Sequence, residues 1–325
     1  MKRFDPEPAA LAGLLRPDWH GPSPVHLGGV WSFLGHAAPP AGSDPLALAR
    51  WCYAHHAELK PLCGTPGLEE RVKPFVGDCP APLDEVARVL RVAQFGQVLN
   101  DLDPIRQDVP PKDYPTLTFL RRALRPAPDA IVLDLGCSSG KHLREAEALI
   151  PGRLVGLDID LLAMQIGGLA FAAGGRRAPT WLCASIADMP FANDRFSHVI
   201  TAGTLSLLPI RRGLREIRRV LRPGGQMVLT IEGPGLWRWL FDQATGLHKM
   251  QLLRWRVGGM LMDVGLDWQE VPVLRRLAGL TPMGPGLVRR LAIEAGFEVE
   301  ECGVLTRYKS LPRIVTLIAK KPEGA

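Results

Sequence analysis

Asp134, Gly136 and Gly140 are the residues of this chain whose types and spacing point most directly to chemistry. They lie in the run Ile131-Val132-Leu133-Asp134-Leu135-Gly136-Cys137-Ser138-Ser139-Gly140-Lys141-His142. Apolar residues lead to an acid, two glycines follow, and a helix-forming stretch continues from Lys141 to Leu149. The pattern predicts a buried strand, a tight turn and a helix whose N-terminus faces the turn. Glycines at such a turn let a ligand approach the main chain closely. Spacing argues against two nucleotide-binding turns. A phosphate-cradling loop needs four residues between its glycines and then Lys-Ser/Thr, whereas here Cys137, Ser138 and Ser139 intervene and Lys141-His142 follows. The dinucleotide fingerprint G-x-G-x-x-G is broken by Ser138 and Ser139.

The elements that must position this turn alternate in type. Strands are predicted at Arg153 to Asp158, Thr180 to Ala184, Phe196 to Thr201 and Gln226 to Ile231, the last after the turn Arg222-Pro223-Gly224-Gly225. Helices are predicted at Leu161 to Ala173, along Arg211 to Arg222, and at Gly286 to Ala295. Phe297 to Val304 and Ile314 to Ala319 read as a closing antiparallel pair. Strands separated by helices imply right-handed crossovers and a parallel sheet covered on both faces. Two segments break the rhythm. Residues 1–112 are rich in Pro and Gly, with helical patches at Pro45 to Leu59 and Leu83 to Leu99, and read as a mostly helical or irregular accessory domain. Within the second domain, 113–325, residues 233–285 form an insertion carrying Trp237, Trp239, Trp255 and Trp268, half of the chain's 8 tryptophans.

Composition narrows the class. The 325 residues are 46% hydrophobic and 22% charged, values ordinary for a globular protein. No apolar run reaches the roughly 18 residues of a membrane helix. The start Met1-Lys2-Arg3-Phe4-Asp5-Pro6-Glu7-Pro8 lacks the apolar core of a signal peptide, so a cytoplasmic location is expected. Cys52, Cys63 and Cys79, near His55 and His56, lack the paired spacing of zinc ligands, and no metal is expected. The charge of +6 is uneven, because Arg211, Arg212, Arg215, Arg218, Arg219 and Arg222 crowd one helix. Leu214, Ile217, Val220 and Leu221 give that helix one apolar face. No aromatic residues interleave with the arginines to stack bases, so a solvated face is the expectation and nucleic acid is disfavoured.

In sequence order, these motifs resemble the class I S-adenosylmethionine-dependent methyltransferases over about residues 114–232 and 286–320. The glycine turn is similar to the family's Asp-x-Gly-x-Gly-x-Gly, with Ser138 at the middle glycine. Gly156-Leu157-Asp158-Ile159-Asp160 looks like the second strand, whose terminal acid binds the ribose hydroxyls. Ala187-Asp188-Met189-Pro190-Phe191 with Arg195 to Ile200, then Glu216 to Gly225, and finally Gly296-Phe297-Glu298-Val299 with Ala319-Lys320-Lys321-Pro322, match three further family stretches. The resemblance implies an α/β, doubly wound, mostly parallel seven-stranded sheet and S-adenosylmethionine as cofactor. It implies a cofactor site at Asp134, Gly136, Cys137, Ser138, Gly140, Asp158, Ile159, Ser185, Ile186 and Thr201, with Tyr114 closing over the cofactor carboxylate. Ser185 stands where the family usually has an Asp for the adenine amino group. Thr201-Ala202-Gly203-Thr204-Leu205-Ser206 lacks the Asn/Asp-Pro-Pro-Tyr/Phe motif of adenine and glutamine amino methylation, and no Pro-Cys pair of the cytosine type occurs.

The resemblance implies transfer of a methyl group by in-line displacement, with a general base needed only for an unionised hydroxyl or an acidic carbon. The insertion follows a strand whose C-terminal end borders the cofactor, so it is expected to line the acceptor pocket through Trp237, Trp239 and His248. His248 is the base candidate there, though by itself the position also reads as an exposed helix residue. A small organic, apolar, aromatic or lipid-like acceptor is the leading expectation. Packing of the insertion onto the N-terminal domain as core is the second reading of its apolar residues, and docking at a membrane surface through Arg238, Lys249, Arg254 and Arg256 the third. A tRNA or rRNA methyltransferase, supported by the arginine helix and a pI near 9.1, is the alternative. A non-catalytic cofactor-binding partner subunit, suggested by Ser138 and Ser185, is the third.

Overall fold

The protein is described by a computed structural model covering residues 11–324 except 12, 39, 41, 64–67, 76, 92–97, 100–101, 103–114, 126, 128, 151, 245–251, 254–256, 258–259 and 263–279. Nine strands form one sheet: β1 (Val25–Leu27), β2 (Val30–Ser32), β3 (Ile131–Leu135), β4 (Arg153–Asp158), β5 (Thr180–Cys183), β6 (Phe196–Ala202), β7 (Leu221–Glu232), β8 (Glu298–Tyr308) and β9 (Leu311–Lys320). Their order is β1-β2-β5-β4-β3-β6-β7-β9-β8. Strands β2 to β7 pair in parallel, while β1, β9 and β8 run antiparallel to their neighbours. The order reverses between β3 and β6, which creates a crevice at the C-terminal ends of these strands.

Helices α1 (Ala47–Ala54), α2 (Leu68–Val72) and α3 (Leu83–Arg91) precede the central strands. They are followed by α4 (Pro115–Ala123), α5 (Lys141–Leu149), α6 (Leu161–Ala173), α7 (Ile210–Val220), α8 (Pro234–Gln243) and α9 (Pro285–Glu294). One face of the sheet packs Leu133, Leu135, Val155, Leu157 and Val199 against α7 and α9. The other packs Val132, Leu154, Trp181, Ile200 and Val228 against α4, α5 and α6. Helix α6 is apolar on all sides, and both sides are used. Met164 and Phe171 face the sheet, whereas Ala163, Ile166 and Ala170 pack against Ala49, Cys52, Leu59 and Leu90 of the N-terminal helices.

The hairpin β1–β2 lies beyond the seven strands expected, and the reading of residues 1–112 as mostly helical or irregular did not include it. Gly28 and Gly29 both have positive φ, 56° and 86°, as a two-residue turn of the mirror-image type requires. That Gly-Gly pair between Val-His-Leu and Val-Trp-Ser was the signal available in the sequence. Strand β2 pairs with β5, so this part of residues 1–112 is continuous with the central sheet. Cys52, Cys63 and Cys79 are free thiols, and Cys52 is buried in the N-terminal core.

Candidate active site

The turn 136–140 works as the sequence pattern requires. Gly136 and Gly140 adopt φ of 72° and 85°, where a side chain is strained. Ser138, at the position of the missing glycine, is itself at φ 50°. The turn is held from three directions. The amides of Gly136 and Cys137 donate to the Leu157 carbonyl at 2.8 and 3.2 Å. The Ser138 amide donates to Asp158 Oδ2 at 2.8 Å. A Cβ at Gly167 of α6 would lie 2.6 Å from the Ser139 carbonyl oxygen, so the helix touches the turn main chain directly.

Asp134 is fully buried at the end of β3, and neither carboxylate oxygen has a hydrogen-bond partner among the described residues. Burial, reinforced by the neighbouring Asp158, pushes its carboxyl up to about 8, against the pull of Lys141. His142, in the first turn of α5, brings Nδ1 to 3.8 Å from Asp134 Oδ2. Burial, with Lys141 adding to it, holds the imidazole down to about 3. An unpaired carboxylate beneath a left-handed glycine turn is a place for a cation.

Asp158 ends β4 and spends three acceptor positions on main-chain amides: Ser138, then Ile159 at 2.7 Å and Asp160 at 3.0 Å. A carboxylate has about four such positions, so one is left over. Ile159 beside it is 67% exposed, a flat apolar surface at the sheet edge. Ser185 is half-buried after β5, its Oγ accepting from the Ala187 amide at 3.2 Å, and Ile186 is buried behind it. Thr201 of β6 is fully buried, and its hydroxyl has no hydrogen-bond partner among the described residues. Cys137 is buried against Gly156 and contributes main chain. These residues therefore gather at the C-terminal ends of β3 to β6.

The aromatic candidates sit farther out. Helix α8 packs on the tip of the β8–β9 hairpin, because a Cβ at Gly235 would meet the Leu311 carbonyl oxygen at 2.7 Å. Asp242 pins it there, accepting from Lys309 at 2.8 Å and Tyr308 at 3.1 Å. Those donors and Arg238 hold its carboxyl down to about 2. Trp237 stacks on Phe241 and donates to the Leu252 carbonyl, while Arg313 lies over the Trp239 ring at 4.8 Å. Both indoles are half-buried. Tyr114 and His248 lie outside the described residues, as do Lys249, Arg254 and Arg256 of the insertion.

Sequence reasoning passed over Glu232, His142 and Thr204. Glu232 ends β7, as Asp134 lies near the end of β3 and Asp158 ends β4. An acid closing an apolar strand was the signal for the three carboxylates. Burial pushes the Glu232 carboxyl up to about 7, against a hydrogen bond from Ser206 Oγ at 2.6 Å and one from its own main chain. Thr204 lies over the glycine turn, 2.0 Å from where a Cβ on Gly136 would be.

Residues 132–225 match the family model described as a methyltransferase domain. A protein of Encephalitozoon cuniculi named "Putative methyltransferase ECU09_1500" is 32% identical over 179 residues, 54% of this chain and 73% of that protein. The demethylmenaquinone methyltransferase of Corynebacterium urealyticum is 34% identical over 110 residues, 34% of this chain and 44% of that one. The human "Probable tRNA methyltransferase 9B" is 24% identical over 153 residues, 46% of this chain and 31% of that one. The chain thus spans less than half of the length of these last two relatives. The unpaired Asp134, the left-handed turn and the remaining acceptor position of Asp158 fit a cationic, ribose-bearing methyl donor. With the strand order and the 73% coverage of a 32% identical relative, they lead to one assignment. The chain belongs to the class I S-adenosylmethionine-dependent methyltransferases.

Proposed function

We propose that the protein transfers a methyl group from S-adenosylmethionine to a small apolar or aromatic molecule. The observation that carries this reading is the placement of α8, with Trp237 and Trp239, directly after β7, the strand next to β6 of the crevice. The Asp134 to Gly140 turn would hold the methionine portion of the cofactor, Asp158 the ribose, and Ile159, Ser185 and Ile186 the adenine. Thr201 would stand beneath them. When bound, the cofactor supplies a methyl group activated by its sulfonium. The chain's work is to orient the acceptor in line with the carbon–sulfur bond and to exclude water.

The quinone-methylating relative supports a hydrophobic acceptor. Residues 1–112 would serve as an accessory segment beside 113–325, with 233–285 on the acceptor side. Among the described residues no helix is long and apolar enough to cross a membrane, so any lipid contact through them would be peripheral. We place the enzyme in the cytoplasm.

A tRNA substrate is the second reading, favoured by the relatives named for that activity. The arginines of α7 speak against it, because several are spent on the protein itself. Arg211 pairs with Glu294, Arg212 donates to the Ala187 carbonyl at 2.6 Å, and Arg219 binds Glu216 and the carbonyls of Met189 and Phe191. A cell extract incubated with the protein and labelled S-adenosylmethionine separates the readings. Label extracted into organic solvent supports the small acceptor, whereas label in nuclease-sensitive material overturns it.

A further inference from the structure

Three elements meet at the acceptor side of the crevice. Gly203 follows β6 with φ 75°, and a Cβ there would lie 2.6 Å from Glu232 Oε1. The Glu232 carboxylate is therefore laid against bare main chain. Ser206 fixes the other oxygen by donating to Oε2 at 2.6 Å. Ser206 is itself fully buried, and its carbonyl accepts from the Thr281 amide at 2.9 Å. The Met283 amide donates to the Glu232 carbonyl at 2.8 Å, which ties the return of the insertion to the same point. Thr204 is the link to the donor side, since it follows Gly203 and covers Gly136. Strands β3, β6 and β7 are consecutive in the sheet, and Asp134 is level with Ile200 and Val228, so Glu232 lies two strand spacings across and four residues farther along, about 16 Å away between main chains.

We infer that Glu232, oriented by Ser206 and Gly203, is the proton acceptor for a hydroxyl-bearing acceptor, a phenol or enol, in the methyl transfer proposed above. The inference rests on that proposed small-molecule reaction. In the step, the acceptor hydroxyl proton passes to a Glu232 oxygen. The acceptor oxygen forms its bond to the methyl carbon, the carbon–sulfur bond breaks, and its electron pair stays on sulfur. Glu232 later gives the proton to water. Its titration near neutrality suits the task, because a base works best when its affinity for protons is close to the working pH. The groups acting on it are burial, the Ser206 hydroxyl and its own main chain; among the described residues, no charged side chain contributes.

The test uses the full chain with Glu232→Gln and Glu232→Asp. Carbon-13 spectra of glutamate-labelled protein in complex with S-adenosylhomocysteine should show one carboxyl titrating near neutral pH, absent in Glu232→Gln. Phenol, catechol, hydroquinone and thiophenol serve as probes with S-adenosylmethionine. Glu232→Gln should lower kcat for the hydroxyl probes by about 10²- to 10⁴-fold. It should spare thiophenol, which ionises without help, and leave affinity for S-adenosylhomocysteine unchanged. Glu232→Asp should restore part of the loss. Equal losses on all probes, an unchanged rate, or no neutral carboxyl titration would overturn the role. If a wild type that binds S-adenosylhomocysteine methylates no probe, the small-aromatic acceptor is wrong. The Glu232 titration, which needs no acceptor, is read separately, and its absence overturns the proton-accepting role whatever the acceptor.

Discussion

The main-chain amide of Ser138 donates to the side chain of Asp158 at 2.8 Å, so the acid expected to meet the ribose also holds the glycine turn. Loss of Asp158 removes a ligand and loosens the turn that frames it. Asp158→Ala should weaken binding of S-adenosylhomocysteine at least tenfold, about 1.4 kcal/mol. Asp158→Asn, which keeps one acceptor oxygen, should lose less. Calorimetric titration reads both, and wild-type affinity in Asp158→Ala would refute the placement.

Ser138 occupies a left-handed conformation that costs a non-glycine residue about 1 kcal/mol. Ser138→Gly should relieve that strain while adding chain entropy to the unfolded state. The net change expected in chemical denaturation is small, within about 1 kcal/mol, with cofactor affinity retained because this residue offers its amide. A large loss of affinity would mean the hydroxyl itself takes part.

Gly167 and Gly168 are neighbours in α6 with opposite outcomes. A Cβ at Gly167 meets the Ser139 carbonyl oxygen at 2.6 Å, whereas one at Gly168 meets only Trp181 Nε1 at 3.6 Å. Gly167→Ala should destabilise by about 1–3 kcal/mol through overpacking and displace the turn. Gly168→Ala should be neutral or stabilising by up to about 1 kcal/mol through helix propensity. Denaturation midpoints and S-adenosylhomocysteine affinity, measured on both, would expose a wrong helix register if the order were reversed.

Asp134 predicts proton-linked stability and binding. Its folded carboxyl, raised to about 8, holds a proton that the unfolded chain has released, so stability falls as pH rises toward 8. Glu232, raised to about 7, acts in the same direction up to that point. His142, lowered to about 3, acts oppositely, but only below its ordinary value of 6.5. The fall should therefore be cleanest between pH 6.5 and 8 in the ligand-free protein and diminished in Asp134→Asn. A cation seated over Asp134 should expel its proton. Calorimetry in buffers of different ionisation enthalpy should then detect proton release on S-adenosylmethionine binding at neutral pH, and its absence would place the cation elsewhere.

The central alternation was legible because each strand carries its own signature. Arg153 to Asp158, Lys141 to Leu149 and Leu161 to Ala173 form the elements their patterns predict, with matching ends. The glycine turn was legible because its φ values demand particular residues. The β1–β2 hairpin was missed because three-residue strands carry too little periodicity to stand out beside helices. Trp237 and Trp239 were expected at a pocket from the insertion's position after the fifth predicted strand and its apolar content, and their contacts among the described residues include Phe241, Leu252 and Arg313.

Residue order by itself determined the side proposed for the methyl donor: a run from Ile131 to His142 builds strand, turn and helix from local preferences, and Asp158 follows one crossover later. Tertiary structure alone decided the cluster proposed as the acceptor side. Gly203 with Ser206, Glu232 and Thr281 come from three stretches of the chain, and the first two meet because β6 and β7 are neighbours in the sheet. Burial at that meeting point, absent from any local pattern, is what moves the Glu232 carboxyl to neutrality.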